Sequence, residues 1–156
     1  WLELGPLIFM GEQSLQELRD WAMRLTEPEA MVDYYQKLLA AGELNLAEQM
    51  LQKNPATLSS LLALMVRDEL PMQVRIGTVA LFEGVAGKIR LQEMIPELSA
   101  QLAHKDYRVR VDIAYLLELT ASKEAITPLK KLLLDENSEV REIAAEALQE
   151  LTEIGG

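Results

Sequence analysis

The chain has one histidine, His104, followed directly by Lys105, and it has no cysteine. Imidazole is the usual general base near neutral pH and the commonest metal ligand, and the thiolate is the other strong nucleophile and ligand. A single imidazole without thiols cannot build a Cys–His dyad or a zinc site of Cys and His ligands. Carboxylates are plentiful at 25 Asp and Glu, but they fall at expected helix starts and on solvated faces, as in Glu27 and Glu29 or Asp135 and Glu136. They form no pair suited to general acid–base work. Gly84-Val85-Ala86-Gly87-Lys88 has part of a phosphate-loop pattern. It lacks the earlier glycine and the following Ser or Thr, and it comes after a helical pattern rather than a strand, so it reads as a helix stop. His104 falls at the end of a helical pattern, where a cation complements the helix dipole. No catalytic, cofactor-binding or metal-binding residue is assigned.

The Val-Arg pairs Val74-Arg75, Val109-Arg110 and Val140-Arg141 remain. They belong to a repeat. Sliding the chain by 31 residues aligns Ile95 with Ile126, Leu98 with Leu129, Leu102 with Leu133, Val109-Arg110 with Val140-Arg141, Ala114 with Ala145 and Leu117 with Leu148. A weaker copy upstream has Val74-Arg75, then Val79 and Phe82. A period of this size is the signature of stacked supersecondary units.

The elements that carry the pairs are helical. The chain is 49% hydrophobic but only 5% aromatic, a mix that favours helix-on-helix packing over a β-sandwich. Helices are expected near 28–41, 45–53, 55–67, 71–85, 88–104, 107–120, 123–134 and 138–153. The connections are short, so neighbours pack antiparallel. Pro28 suits a first turn, Gly42 a helix stop, and Asn54-Pro55 an N-cap followed by a first-turn proline. In the last unit Ile126, Leu129, Leu132 and Leu133 form one stripe; Val140, Ile143, Ala144, Ala147, Leu148 and Leu151 form the other. Ala144 and Ala145 are small enough for a neighbouring backbone to come close. Gly77 and Gly84 loosen the upstream unit.

Residues 1–10 hold the one strand-like run, Leu7 to Met10, expected to lie as a short extended arm. Ser14-Leu15-Gln16-Glu17 is a capping box that opens an amphipathic helix. The start at Trp1, with no Met and no signal-peptide pattern, is read as a piece cut from a longer protein. The expected layout is an N-terminal arm and capped helix over 1–27, the remnant of a preceding domain, and a helical-repeat domain over 28–156. Within the latter, 28–67 forms degenerate hairpins and 68–153 regular units.

The run Asp106-Tyr107-Arg108-Val109-Arg110, followed by Ala114 and Leu117, resembles the HEAT-like repeats of the phycobilisome-lyase type, as does Asp135 with Val140-Arg141, Ala144, Ala145 and Leu148. The resemblance covers 68–153. It implies an all-α fold, a right-handed α-α superhelix of antiparallel helix pairs. It also implies that Arg75, Arg110 and Arg141 pair with turn aspartates of adjacent units, Asp106 and Asp135 among them. Two activities of related chains do not carry over. HEAT-like hydroxylases hold iron through repeated His-Glu pairs, and here Lys105 follows the one histidine. HEAT-like DNA glycosylases need a basic face, and this chain has a formal charge of −10. Residues 5–25, with Gly11, Ser14, Glu17 and Leu18, resemble the closing turn and helix of a thioredoxin-fold domain. Ala41 to Glu48 resembles the turn of tetratricopeptide repeats.

The expected function is a non-catalytic interaction scaffold with a protein partner. The alternatives are a client- or partner-binding tail of a thioredoxin-fold protein and a subunit of a bilin lyase. Nucleic acid and membrane are not expected partners, because both require a basic or long apolar surface. The absence of cysteine leaves the compartment undetermined, with a cytoplasmic setting favoured.

Overall fold

A computed structural model describes residues 28–155, whose regular elements are all helices, with no strand among them. The extended arm, the capping box and the thioredoxin-like stretch expected over 1–27 lie outside the described residues. The chain divides into two compact units, Trp1–Thr78 and Val79–Gly156. The division falls inside the helix Met72–Glu83.

In the first unit, α1 spans Pro28–Ala40. Met31, Val32, Tyr34, Tyr35, Leu38 and Leu39 are buried along it. It ends in a Schellman motif: Gly42 takes φ 77°, its N–H donates to Leu39 O at 3.1 Å, and Glu43 N–H donates to Leu38 O at 2.8 Å. α2, Leu44–Lys53, buries Ala47 and Leu51. Asn54 does not cap the next helix with its side chain as expected. Its carbonyl instead accepts from Thr57 N–H at 3.0 Å and Thr57 Oγ1 at 2.7 Å, which closes the 3-10 turn Pro55–Thr57. α3, Leu58–Met65, packs on α1 and buries Leu58, Leu61, Leu62, Leu64 and Met65. α4, Met72–Glu83, runs unbroken through Gly77. That glycine does not loosen the helix; a Cβ there would lie 2.9 Å from Leu39 Cδ2, so it lets α4 approach α1.

In the second unit the expected helix 88–104 is interrupted. α5 covers Ile89–Gln92, α6 covers Ile95–Ala100, and a 3-10 turn Gln101–Ala103 follows. The cause is Pro96. Its ring clashes with the carbonyl four residues back, that of Gln92, where α5 stops. α7 is Tyr107–Leu119. The next segment is the 3-10 turn Lys123–Ala125, then α8 over Ile126–Lys131, then the 3-10 turn Leu132–Leu134. α9 is Ser138–Gly155 and packs against α7 and α8.

The core of this unit joins Leu91, Met94, Ile95 and Leu98 to Val109, Ile113, Ala114, Leu116 and Leu117 of α7. Leu129 and Leu132 meet Val140, Ala144, Ala147 and Leu151 of α9 in the same core. Two expectations fail locally. Leu133 is 40% exposed, because the 3-10 winding aligns residue 132 with 129 and turns 133 outward. Ala145 is exposed, while Ala144 is buried.

Candidate functional site

Arg110 lies on the first turn of α7, and Asp135 opens the turn before α9. The Arg110 Nε and Nη2 donate to Asp135 Oδ2 and Oδ1 at 2.8 and 3.0 Å. Both side chains are sequestered, at 8% and 9% exposure. The planar guanidinium fork matches the carboxylate, which makes this the strongest geometry an ion pair can take. The remaining Nη1 donates to His104 O at 2.7 Å and Lys105 O at 3.3 Å, so one side chain satisfies two turn carbonyls as well. Asp135 Oδ1 also accepts Asn137 N–H at 2.9 Å. Glu136, 3.9 Å from Arg110 and 91% exposed, adds little.

Arg141 repeats half of this arrangement. Its Nη1 donates to Asp135 O at 2.7 Å, the carbonyl six residues back, as His104 O is to Arg110. Asp106 caps α7, accepting Arg108 N–H at 2.9 Å, and pairs with the Arg108 guanidinium at 3.1 Å. Val74, Val109 and Val140 are buried and Arg75 is half-buried on α4. His104 joins the turn that opens α7: its Nδ1 accepts Asp106 N–H at 3.0 Å.

The electrostatics follow from these contacts. The bond from Arg110 holds the Asp135 carboxyl below its usual range against the opposing effect of burial, and the same bond raises the Arg110 guanidinium. Such a pair exchanges no protons near neutrality. A second set of groups lies further along α7. Tyr115 Oη donates to a Glu83 carboxylate oxygen at 2.5 Å, and that bond, then burial, pushes the phenol up to about 12. Glu118 is raised by burial first, then by Glu150 and Glu146 of α9.

Three contacts were not read from the sequence. Arg67 donates to Gln36 at 2.7 Å, reaches Asp33 at 2.9 Å and pairs with Glu29, clasping the end of α3 to α1. It sits outside the repeat register, so periodicity gave no signal for it. Tyr35 Oη and Thr57 Oγ1 meet at 2.7 Å in the core. The only signal was that a buried phenol needs a partner. The Tyr115–Glu83 bond likewise joins residues with no repeat relation.

Among the described residues no group of His, Asp and Glu is placed to hold a metal ion, and no helix is long and apolar enough to cross a membrane. A family model of HEAT repeats matches residues 95–154, the span from α6 through α9 that contains both partners of the Arg110–Asp135 pair. Over these residues the chain is similar to HEAT repeats, in keeping with the helices described for it. A search of the curated proteins finds no match.

Proposed function

We propose that this chain is a non-catalytic protein-interaction scaffold of HEAT-like units, with Val74, Arg75, Asp106, Val109, Arg110, Asp135, Val140 and Arg141 as its structural signature. The degenerate hairpins of 28–67 extend the same architecture. The observation that carries the proposal is the use made of Arg110. Its donors are spent on Asp135 and two turn carbonyls, so the residue that recurs with the period serves the joint between helix pairs, not a ligand. A rigid joint presents a surface already ordered, which lowers the entropic cost of binding a partner.

The surface offered is the side of α7 and α9 that carries Glu118, Glu146 and Glu150, where Glu118 is raised by burial first and then by the charges of Glu150 and Glu146. A partner segment bearing Lys or Arg would offset those charges. A protein partner suits this face; polyanions do not, at a formal charge of −10. The thioredoxin-tail and bilin-lyase alternatives draw on residues 1–27 and on the repeat type, and no side chain described above favours either.

The test is affinity capture from a host lysate by the full chain and by a variant carrying Glu118→Gln, Glu146→Gln and Glu150→Gln. The expected result is a protein retained by the unmodified chain and depleted on the variant. Equal recovery of every protein on both would remove this face from the account.

A further inference from the structure

The outer segment of the last helix pair carries a surface that its packing does not explain. Leu134 is 89% exposed and Leu133 40% exposed, next to exposed Lys130 and Lys131. These four form one patch. Residues three and four apart on a helix are neighbours, which places Leu133 and Leu134 over Lys130. The 3-10 turn Leu132–Leu134 brings Leu134 over Lys131. The buried side of the same segment is held by Ala125, Leu129 and Leu132.

The preceding repeat shows what the architecture itself demands at these positions. At the 31-residue shift, Lys130, Lys131, Leu133 and Leu134 correspond to Ser99, Ala100, Leu102 and Ala103. Ser99, Ala100 and Ala103 are small, and Leu102 is half-buried. The repeat therefore packs without two lysines and without a large side chain at the last position. Lys130 and Lys131 suit the C-terminal end of α8, where cations meet the helix dipole. That does not account for a leucine left almost wholly in water beside them. An exposed apolar pair bordered by like charges is the composition of an interaction surface.

We propose that Lys130, Lys131, Leu133 and Leu134 dock an acidic segment of a partner protein carrying at least one large apolar side chain. This surface shares no residue with the acidic face of α7 and α9 and is opposite to it in charge. The leucines supply the apolar contact, and the two ammonium groups select against neutral and basic segments. The Debye length at physiological salt is about 8 Å, so the local cations rather than the distant net charge set the preference. Two lysines are too few to hold a nucleic acid or an anionic bilayer, whose affinity grows with the number of cations engaged.

The experiment pans a displayed library of random dodecapeptides against the full chain, with counter-selection on a variant carrying Lys130→Glu and Lys131→Glu. The expected result is enrichment of peptides that are net acidic and contain Leu, Ile, Phe or Trp. Their affinity, read by fluorescence anisotropy, should fall at least tenfold on the charge variant and on Leu134→Ser, and should weaken with added salt. Both variants alter exposed side chains, and unchanged helicity by circular dichroism confirms their fold. Enriched peptides that are neutral or basic would overturn the proposal, as would binding indifferent to these substitutions. So would retention of the chain by phosphatidylserine vesicles or a DNA duplex in place of peptides. Peptides that bind but respond only to the glutamine substitutions on α7 and α9 would sink this patch and leave the scaffold reading standing. A library that yields nothing, together with a lysate capture that yields nothing, would sink both.

Discussion

Arg110 and Asp135 lie 25 residues apart in sequence and meet through two parallel hydrogen bonds of 2.8 and 3.0 Å. The contact runs from the first turn of α7 to the turn that precedes α9. It ties one helix pair to the next at the position where the valine–arginine pattern recurs.

The pair makes stability depend on acid pH in a defined direction. Asp135 has a folded pKa below its unfolded one, so its contribution is complete above the unfolded value of about 3.9 and is lost as pH falls through the folded value. Glu118 has the opposite sign. Its raised folded pKa means that its ionisation opposes folding at neutral pH, and this cost disappears in acid. Thermal melts from pH 7 to pH 3 should therefore show Asp135→Asn less stable than the unmodified chain at neutral pH, with the gap narrowing below about pH 4. Glu118→Gln should be the more stable at neutral pH and converge from the other side. Parallel curves for either variant would show that the assigned contacts do not govern its titration.

Leu132 and Leu134 are neighbours in one 3-10 turn with opposite surroundings, 4% and 89% exposed. Leu132→Ala should cost about 2–4 kcal/mol, the loss of a core side chain and the cavity left behind. Leu134→Ala should stay within about 0.5 kcal/mol. Leu117→Ala, fully buried in the last turn of α7, should resemble the first. Urea unfolding measures all three; a large loss for Leu134→Ala would place that side chain in the core instead.

How much of this could be read beforehand depended on whether a feature belonged to the repeat. The starts of α7 and α9, the helical class and the Val-Arg register were legible because apolar period, caps and turns agree there. The break within 88–104 follows from Pro96, whose effect on the carbonyl four residues back overrides the apolar stripe that predicts one helix there. The outward turn of Leu133 depends on 3-10 winding, which a 3.6-residue pattern cannot foretell. Arg67 and the Tyr35–Thr57 bond are tertiary contacts with no periodic trace.

Gly77 sets the spacing of α4 against Leu39 of α1. Alanine in a helix interior usually gains about 0.5–1 kcal/mol over glycine. Here the added methyl meets a buried leucine at 2.9 Å, so Gly77→Ala should instead lose about 1 kcal/mol or more through overpacking. Combining it with Leu39→Val should recover part of that loss, a coupling visible in denaturant midpoints because the two sites touch. Simple additivity would mean that the glycine is not there for space.

The joint between helix pairs is tested most directly by a double-mutant cycle of Arg110→Ala and Asp135→Ala, with unfolding free energies measured in urea at pH 7. Each single change also removes other bonds, from Arg110 to the His104 carbonyl and from Asn137 to Asp135, and the cycle subtracts these. The account predicts a favourable coupling of about 1–3 kcal/mol that shrinks at acid pH. A coupling under about 0.3 kcal/mol, with the two changes simply additive, would contradict it.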